Sequence, residues 1–168
     1  MASMPSSLID LVKKLESGES TERAAAAESL CQLEEGCQSA CVALVRASSM
    51  DDATREWANA ALESMGAPAA TDIDSLCRML SDPSSDVAYW AATLLGRLEE
   101  QGTAACDALV QVVGTGQDLN VRERAVWAIQ RNGCMSESVV EILESATKSR
   151  NARFARVAQQ ALDARASM

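Results

Sequence analysis

Residues 87–98 read VAYWAATLLGRL, residues 121–132 read VRERAVWAIQRN, and residues 54–65 read TREWANAALESM. Each stretch begins with a β-branched residue, then has alanine four residues later and a large aliphatic residue eight residues later. Residues at these spacings lie along one stripe of an α-helix. The three stretches are therefore predicted to be copies of one amphipathic helix.

The same helix recurs at both ends of the chain, which gives five copies in all. When the copies are aligned on one aliphatic anchor, the spacings between anchors are 32, 33, 34 and 33 residues. An alanine lies four residues before every anchor. The anchors are Leu30, Leu62, Leu95, Ile129 and Leu162, and the alanines are Ala26, Ala58, Ala91, Ala125 and Ala158.

A second helix precedes each copy, with apolar positions that also repeat about every 33 residues. Its anchors are Leu11, Ala43 or Leu44, Leu76, Leu109 and Ile142. We call this first helix of each pair the A helix and the second the B helix. The pairs predict a single domain over residues 6–165, because stacking joins their apolar stripes into one core. The predicted repeats are about 6–36, 37–66, 67–102, 103–133 and 134–165.

The B helices resemble HEAT repeats, especially the short bacterial type related to the phycobilisome lyase HEAT-like repeats. The family pattern is roughly V-R-x-x-A-x-x-A-L-G-x-I-G after a turn that contains Asp, and residues 54–66 and 121–133 follow it well. Ala88 and Ala155 stand where the family usually has Arg. The resemblance implies an all-α fold, a right-handed α-solenoid (armadillo-like superhelix) of about five two-helix repeats. It also implies that the B helices line the concave face, but it implies no single activity.

The composition argues against catalysis and against general nucleic-acid binding. The chain has no histidine, which is the commonest general base and metal ligand, and it has no Walker or nucleophile motif. Its formal net charge is −9, and an acidic surface repels phosphate backbones. We therefore expect no catalytic residue, no metal and no cofactor. The chain is interpreted as a monomeric scaffold for a protein partner, with no nucleic acid and no membrane. The alternative is an enzyme, or a lyase or chaperone subunit, of the phycobilin lyase type.

Six cysteines stand at positions 31, 37, 41, 77, 106 and 134. Residues 1–7 lack the charged and apolar segments of a secretory signal, so we expect a cytoplasmic protein with reduced thiols. Cys37 and Cys41 form a C-x3-C pair, whereas zinc ribbons use C-x2-C. All six cysteines are predicted to be unpaired and to pack as small hydrophobic residues.

Arg23, Arg55 and Arg122 occupy one column of the B helices. This column could be a row that binds a ligand. The family resemblance implies instead an Asp–Arg ladder, in which each arginine bonds an aspartate of a neighbouring A–B turn. The candidate aspartates are Asp51, Asp52, Asp82, Asp86 and Asp118.

The aromatic residues provide the candidate binding site. Steps of about 100° per residue place Trp57 and Trp90 on the flank of their helices, where we expect them to be half-buried. Tyr89, Trp127, Val126 and Ala92 are expected to point away from the core. Because Trp and Tyr are enriched among interface anchors, repeats three and four are predicted to bind a partner. The predicted site is Tyr89, Trp90, Val126 and Trp127, and the acidic residues Glu56, Glu63 and Glu123 predict a partner of basic or mixed charge.

Overall fold

The computed structural model describes residues 6–33, 37–134 and 136–166. Within these ranges the chain forms ten α-helices and three short 3₁₀ helices, and it contains no strand. The predicted all-α fold class is therefore confirmed. The α-helices are α1 Ser6–Ser17, α2 Ser20–Cys31, α3 Cys41–Ala47, α4 Asp52–Ser64, α5 Ile73–Met79, α6 Ser85–Arg97, α7 Cys106–Thr115, α8 Leu119–Arg131, α9 Glu137–Thr147 and α10 Ala152–Ala166. The 3₁₀ helices Cys37–Ala40, Ala70–Asp72 and Glu99–Ala105 each lead into the next A helix.

The odd-numbered helices are the A helices and the even-numbered helices are the B helices. They divide into two compact units, of which unit 1 ends at Asp72 and unit 2 begins at Ile73. In unit 1, α2 packs against α1 and α4. In unit 2, α8 packs against its own A helix, α7, and against the neighbouring B helices α6 and α10. The central B helix of unit 2 thus has a neighbour on each side. No helix in the described ranges is long and apolar enough to cross a bilayer.

The predicted core columns of the B helices are confirmed. Four of the five aliphatic anchors and all five alanines are buried, whereas Leu162, in the last helix, is half-buried. The residues eight positions before the anchors are also buried in four of the five B helices, namely Thr54, Val87, Val121 and Phe154. The exception is Glu22 of the first B helix, which is exposed.

The A-helix anchors were less accurately predicted at the two ends of the chain. Leu11 and Ile142 are half-buried, and the fully enclosed side chains are Leu15 and Leu143. Leu15 lies one helical turn after the predicted anchor, and Leu143 lies one residue after it. The terminal A helices have fewer neighbours, so their orientation follows local packing and departs from the repeat average.

Helices α6 and α8 approach closely at Gly96. A Cβ atom placed on Gly96 would lie 2.8 Å from Cε3 of Trp127 and 2.9 Å from the Cα of Ala128. Both distances are shorter than atoms of this size tolerate, so the missing side chain is what allows this contact. Together with the enclosed Ala91 and Ala125, Gly96 explains why small residues recur in the B helices.

The turn after α8 is built on Gly133, whose φ of +63° suits glycine. The amide of Cys134 donates to the carbonyl of Ile129 at 3.2 Å, and the amide of Gly133 donates to Gln130 at 3.2 Å. This pair of bonds is a Schellman motif, which ends a helix with a left-handed residue. Gly133 therefore ends α8 and starts the turn into the next repeat.

The expectation that all six cysteines are unpaired is wrong for Cys106 and Cys134, which form a disulfide with their Cα atoms 5.8 Å apart. The Schellman turn reverses the chain and brings Cys134 beside Cys106, the first residue of α7. Their separation of 28 residues gives no sequence signal for this contact. The expected reduced state is therefore wrong for these two thiols, and the cytoplasmic location stays a prediction.

Candidate protein-binding surface

Three B helices of unit 2 present one surface to solvent, which we call the B face. Contacts between neighbouring helices define it, since Tyr89 of α6 touches Arg124 of α8 and Glu123 of α8 pairs with Arg153 of α10. Its outward residues follow helical spacing along each helix. They are Tyr89 on α6, Arg124, Trp127 and Arg131 on α8, and Arg153, Arg156 and Gln160 on α10, all of them exposed or half-buried.

A cluster of Tyr89, Arg124 and Trp127 lies at the centre of the B face, and we call it the aromatic cluster. The guanidinium carbon of Arg124 lies 4.6 Å from the ring centroid of Tyr89 and 5.1 Å from that of Trp127. Both distances are within the range of cation–π attraction. Arg124 also donates a hydrogen bond from Nη2 to the Tyr89 hydroxyl. Arg124 is therefore held by both rings, and each ring is held by Arg124.

Trp127 is fixed from below as well. Its ring lies against the backbone of α6 at Gly96, close enough that no side chain would fit between them. The ring is half-buried, so part of it remains in contact with solvent. A large aromatic side chain that is held in one orientation loses little conformational entropy when a partner covers it.

Two residues of the predicted site do not reach the surface. Val126 is 0% exposed, and Ala92 of the same predicted outward column is also 0% exposed, so the outward orientation predicted for both is wrong. Both of their helices pack against a neighbouring B helix. Trp90 is 8% exposed and packs edge-on against Tyr89, with ring centroids 5.9 Å apart. Trp57, the equivalent residue of unit 1, is half-buried as predicted.

The arginine column forms the predicted ladder at one position. Arg23 Nη2 donates to Asp51 Oδ2 at 2.9 Å and joins α2 to the turn before α4. This guanidinium, together with bonds from Thr54, holds the pKa of the Asp51 carboxyl well below its usual range. Arg55 pairs instead with Asp52 in its own turn, at 2.6 Å.

Arg122 departs from the ladder. Its Nε donates to the carbonyl of Val113 at 2.8 Å, and its guanidinium lies 4.3 Å from the ring centroid of Phe154. It thereby ties α8 to α7 and α10 within unit 2. The alternative of a ligand-binding row receives no support from these contacts.

The charges of unit 2 are segregated between its two helix layers. Its B helices carry seven arginines and three acids, a net charge of +4, whereas its A helices carry one arginine and five acids, a net charge of −4. The B-helix charges are Arg97, Arg122, Arg124, Arg131, Arg153, Arg156 and Arg165 against Asp86, Glu123 and Asp163; the A-helix charges are Arg78 against Asp74, Asp107, Glu137, Glu141 and Glu144.

This segregation was missed because the net charge of −9 averages over the whole chain. Counting charges helix by helix would have found it. The acidic setting predicted for the aromatic residues is wrong at Glu123, whose side chain is only 12% exposed and is covered by Arg153. Glu56 and Glu63 belong to unit 1.

The described residues also form a cavity that no residue of the aromatic cluster lines. This cavity, of about 330 Å³, lies between the α5–α6 and α7–α8 turns and is lined by residues such as Leu80, Pro83 and Val121. Across the residues that the structure describes, no group of three or more Cys, Asp or Glu side chains is arranged to hold a metal ion.

Comparison with known proteins supports the repeat fold. Residues 73–163 match the family model of HEAT repeats. A crystal structure of an engineered protein, a structural-genomics target, is 22% identical with a TM-score of 0.59, over 94% of this chain and 78% of that chain. A designed armadillo repeat protein in complex with the peptide (KR)4 is 18% identical with a TM-score of 0.60, over 94% of this chain and 81% of that chain. At these identities the likeness shows the fold alone. Among curated proteins, none matches this sequence.

Proposed function

Because this chain belongs to the HEAT repeat family, we propose that it is a non-catalytic scaffold that binds an extended segment of a partner protein on the B face. The observation that carries this proposal is the aromatic cluster. Tyr89 and Trp127 are large, partly exposed rings in columns where unit 1 carries Glu56 and Ala60. Unit 1 forms the same helix pair without a ring in either column.

The chemistry of the cluster suits an anchor for a partner. Trp, Tyr and Arg are the residues most enriched among interface positions that dominate binding energy. The contacts among Tyr89, Arg124 and Trp127 hold them in place before a partner arrives, and preorganisation lowers the cost of binding. Helical repeat proteins commonly use the extended surface of their stacked helices in this way. The designed armadillo repeat protein of similar fold is itself in complex with a peptide.

A displayed library of random peptides tests this proposal. Peptides are selected on the wild-type protein and then measured against Trp127→Ala, with Trp57→Ala as the matched control on unit 1. Truncating an anchor typically costs about 2 kcal/mol or more, so binding to Trp127→Ala is expected to be at least about 30-fold weaker. Binding to Trp57→Ala should be unchanged.

The melting midpoint of each variant shows whether it is folded, and Tyr89→Ala provides a second anchor variant. Selected peptides that bind wild type and both anchor variants with equal affinity would refute the proposal. The alternative of a phycobilin lyase type remains a prediction from the family resemblance. It is tested by the absorbance of an open-chain tetrapyrrole mixed with the protein.

A further inference from the structure

We propose that the segment bound on the B face is acidic, an extended peptide in which Asp or Glu residues alternate with apolar residues. This inference rests on the proposed function and names the chemistry of the partner. It reverses the expectation from the sequence, which was a partner of basic or mixed charge.

Arginines dominate the charge of the B face. Arg124 is half-buried, and Arg131, Arg153 and Arg156 are exposed. Arg131 pairs with Glu99 of the 3₁₀ helix after α6. Of the three acids on these helices, Glu123 pairs with Arg153 at 2.9 Å. Its side chain is 12% exposed, whereas that of Arg153 is 69% exposed, so the positive member of the pair is the one that meets solvent. A partner that approaches this surface therefore meets positive charge.

Two of these arginines have no acidic partner among the residues that the structure describes. Among the described residues, Arg124 and Arg156 form no ion pair with a carboxylate. The chain has 24 acidic residues against 15 basic ones, so acids are abundant, yet they are concentrated away from this surface. An arginine that is not paired with a carboxylate offers a planar set of donors, which can bind an incoming carboxylate with two hydrogen bonds.

Arg124 is the best placed of the four. Its guanidinium is held by two aromatic rings and the Tyr89 hydroxyl, so its orientation is set before binding. Partial burial between the rings lowers the local dielectric constant and strengthens attraction to an incoming carboxylate. Trp127, beside it, offers a surface for an apolar side chain. The cluster thus fits an acidic residue followed by an apolar one.

The width of the surface sets the length of the segment. Packed helices lie about 10 Å apart, so the axes of α6 and α10 are separated by about 20 Å. An extended chain rises about 3.3 Å per residue and spans this distance with about six residues. Alternate side chains of such a segment point to the same side, so several acids can face Arg124 and Arg156 together.

A nucleic acid would also be attracted to arginines, but the charges elsewhere favour a peptide. The A helices of unit 2 carry a net charge of −4 and the whole chain −9. A long polyanion extends beyond the B face and meets this repulsion. A peptide of about six residues does not extend so far.

Fluorescence anisotropy of short labelled peptides tests the inference. The acidic peptide alternates Glu with Leu, its neutral twin replaces each Glu with Gln, and its basic twin replaces each Glu with Lys. We expect the acidic peptide to bind at least about tenfold tighter than the neutral twin, since charged hydrogen bonds are replaced by neutral ones. Its affinity should fall as salt is added. A duplex DNA of similar charge is measured in parallel.

Single arginine variants show which side chains bind the acidic peptide. Arg124→Gln and Arg156→Gln should each weaken the acidic peptide about tenfold, whereas Arg78→Gln, an exposed arginine of the A helix α5, should not. Arg156 is exposed and forms no ion pair within the described ranges, so its variant remains informative if Arg124→Gln proves unstable.

Any of the following results would overturn the inference. The first is equal or tighter binding of the neutral or basic peptide. If that binding is lost in Trp127→Ala, the proposed function stands and only the acidic partner falls. The second is tighter binding of duplex DNA than of the acidic peptide, which would identify the surface as one for nucleic acid. The third is an effect of Arg78→Gln as large as that of Arg156→Gln, or no binding of the acidic peptide at all.

Discussion

The B helices of unit 1 and unit 2 are built on the same buried columns but carry different outward residues. Ala58 of α4 and Ala91 of α6 are both fully enclosed, as are the anchors Leu62 and Leu95. The outward column that holds Glu56 in α4 holds Tyr89 in α6. The inward columns therefore determine the repeat fold, whereas the outward columns are free to differ and can carry a function.

The two units also differ in charge. Residues 1–72 contain twelve acids and five basic residues, a net charge of −7, whereas residues 73–168 contain twelve acids and ten basic residues, a net charge of −2. The match to the HEAT repeat model, over residues 73–163, lies in unit 2. The B face, whose charged outward residues are mainly arginines, therefore belongs to unit 2, which is also the unit that matches the family model.

Different bonds tie each unit together. In unit 1 the ion pair Arg23–Asp51 joins successive repeats. In unit 2 the disulfide Cys106–Cys134 joins the start of α7 to the end of α8, and beside it the buried Nδ2 of Asn132 donates to the carbonyl of Gly102 at 3.0 Å. The two kinds of tie respond to different conditions, so they can be broken separately.

Breaking the disulfide should have the largest effect. Its partners are 28 residues apart, and the loss of the loop constraint should lower the free energy of unfolding by about 3 to 4 kcal/mol. Reductant should lower the urea midpoint of the wild type but not that of a Cys106→Ala, Cys134→Ala double variant. In the unreduced, unfolded protein, mass spectrometry should find these two cysteines in one linked peptide. Alkylation of both before reduction would contradict the bond.

Overpacking the alanine column should have the next largest effect and should be similar in both units. Ala91→Leu in α6 and Ala58→Leu in α4 each place a large side chain where the alanine is fully enclosed. Each is expected to cost about 1–3 kcal/mol, measured by urea unfolding. Ala25→Leu, at an exposed position of α2, is the control and should change little. A tolerated Ala91→Leu would show that the columns of the two units are not equivalent.

The ion pair of unit 1 should give the smallest effect, which is present at neutral pH and lost in acid. The pKa of Asp51 is lowered in the folded protein, chiefly by Arg23. Its carboxylate therefore stabilises the fold above the unfolded pKa of about 3.9, and this contribution is lost as the pH falls below that value. Asp51→Asn should lower the melting midpoint at neutral pH and reduce its fall in acid. Asp10→Asn, an exposed residue of α1, is the control, and an identical pH profile for both variants would contradict the assignment.

The sequence predicted the fold well because the fold depends on periodic residues. Leu95 and Ile129 are buried where the aligned columns placed them. Features that depend on particular neighbours were not predicted. The helical wheel of α8 alone could not reveal that α6 and α10 cover its flanks and bury Val126. Nor could spacing reveal that the turn at Gly133 brings Cys134 to Cys106.

The candidate site was predicted only where its residues interrupt the repeat pattern. Tyr89 and Trp127 were identified because they interrupt columns of small or polar residues. Arg124 was missed, since its importance comes from contacts with two rings on different helices. Its column holds Trp57 and Trp90 in the preceding repeats, so periodicity indicated a packing position and gave no sign of a charge at the surface.

The most direct test of binding on the B face is a nitrogen–proton NMR titration of the tryptophan indole signals. The chain has three tryptophans, and each indole N–H gives one resonance. A peptide selected on the wild-type protein should shift the Trp127 signal most, because that ring lies in the aromatic cluster. The Trp57 signal, from unit 1, should stay in place. A titration that shifts Trp57 while Trp127 remains unchanged would contradict the proposed binding surface.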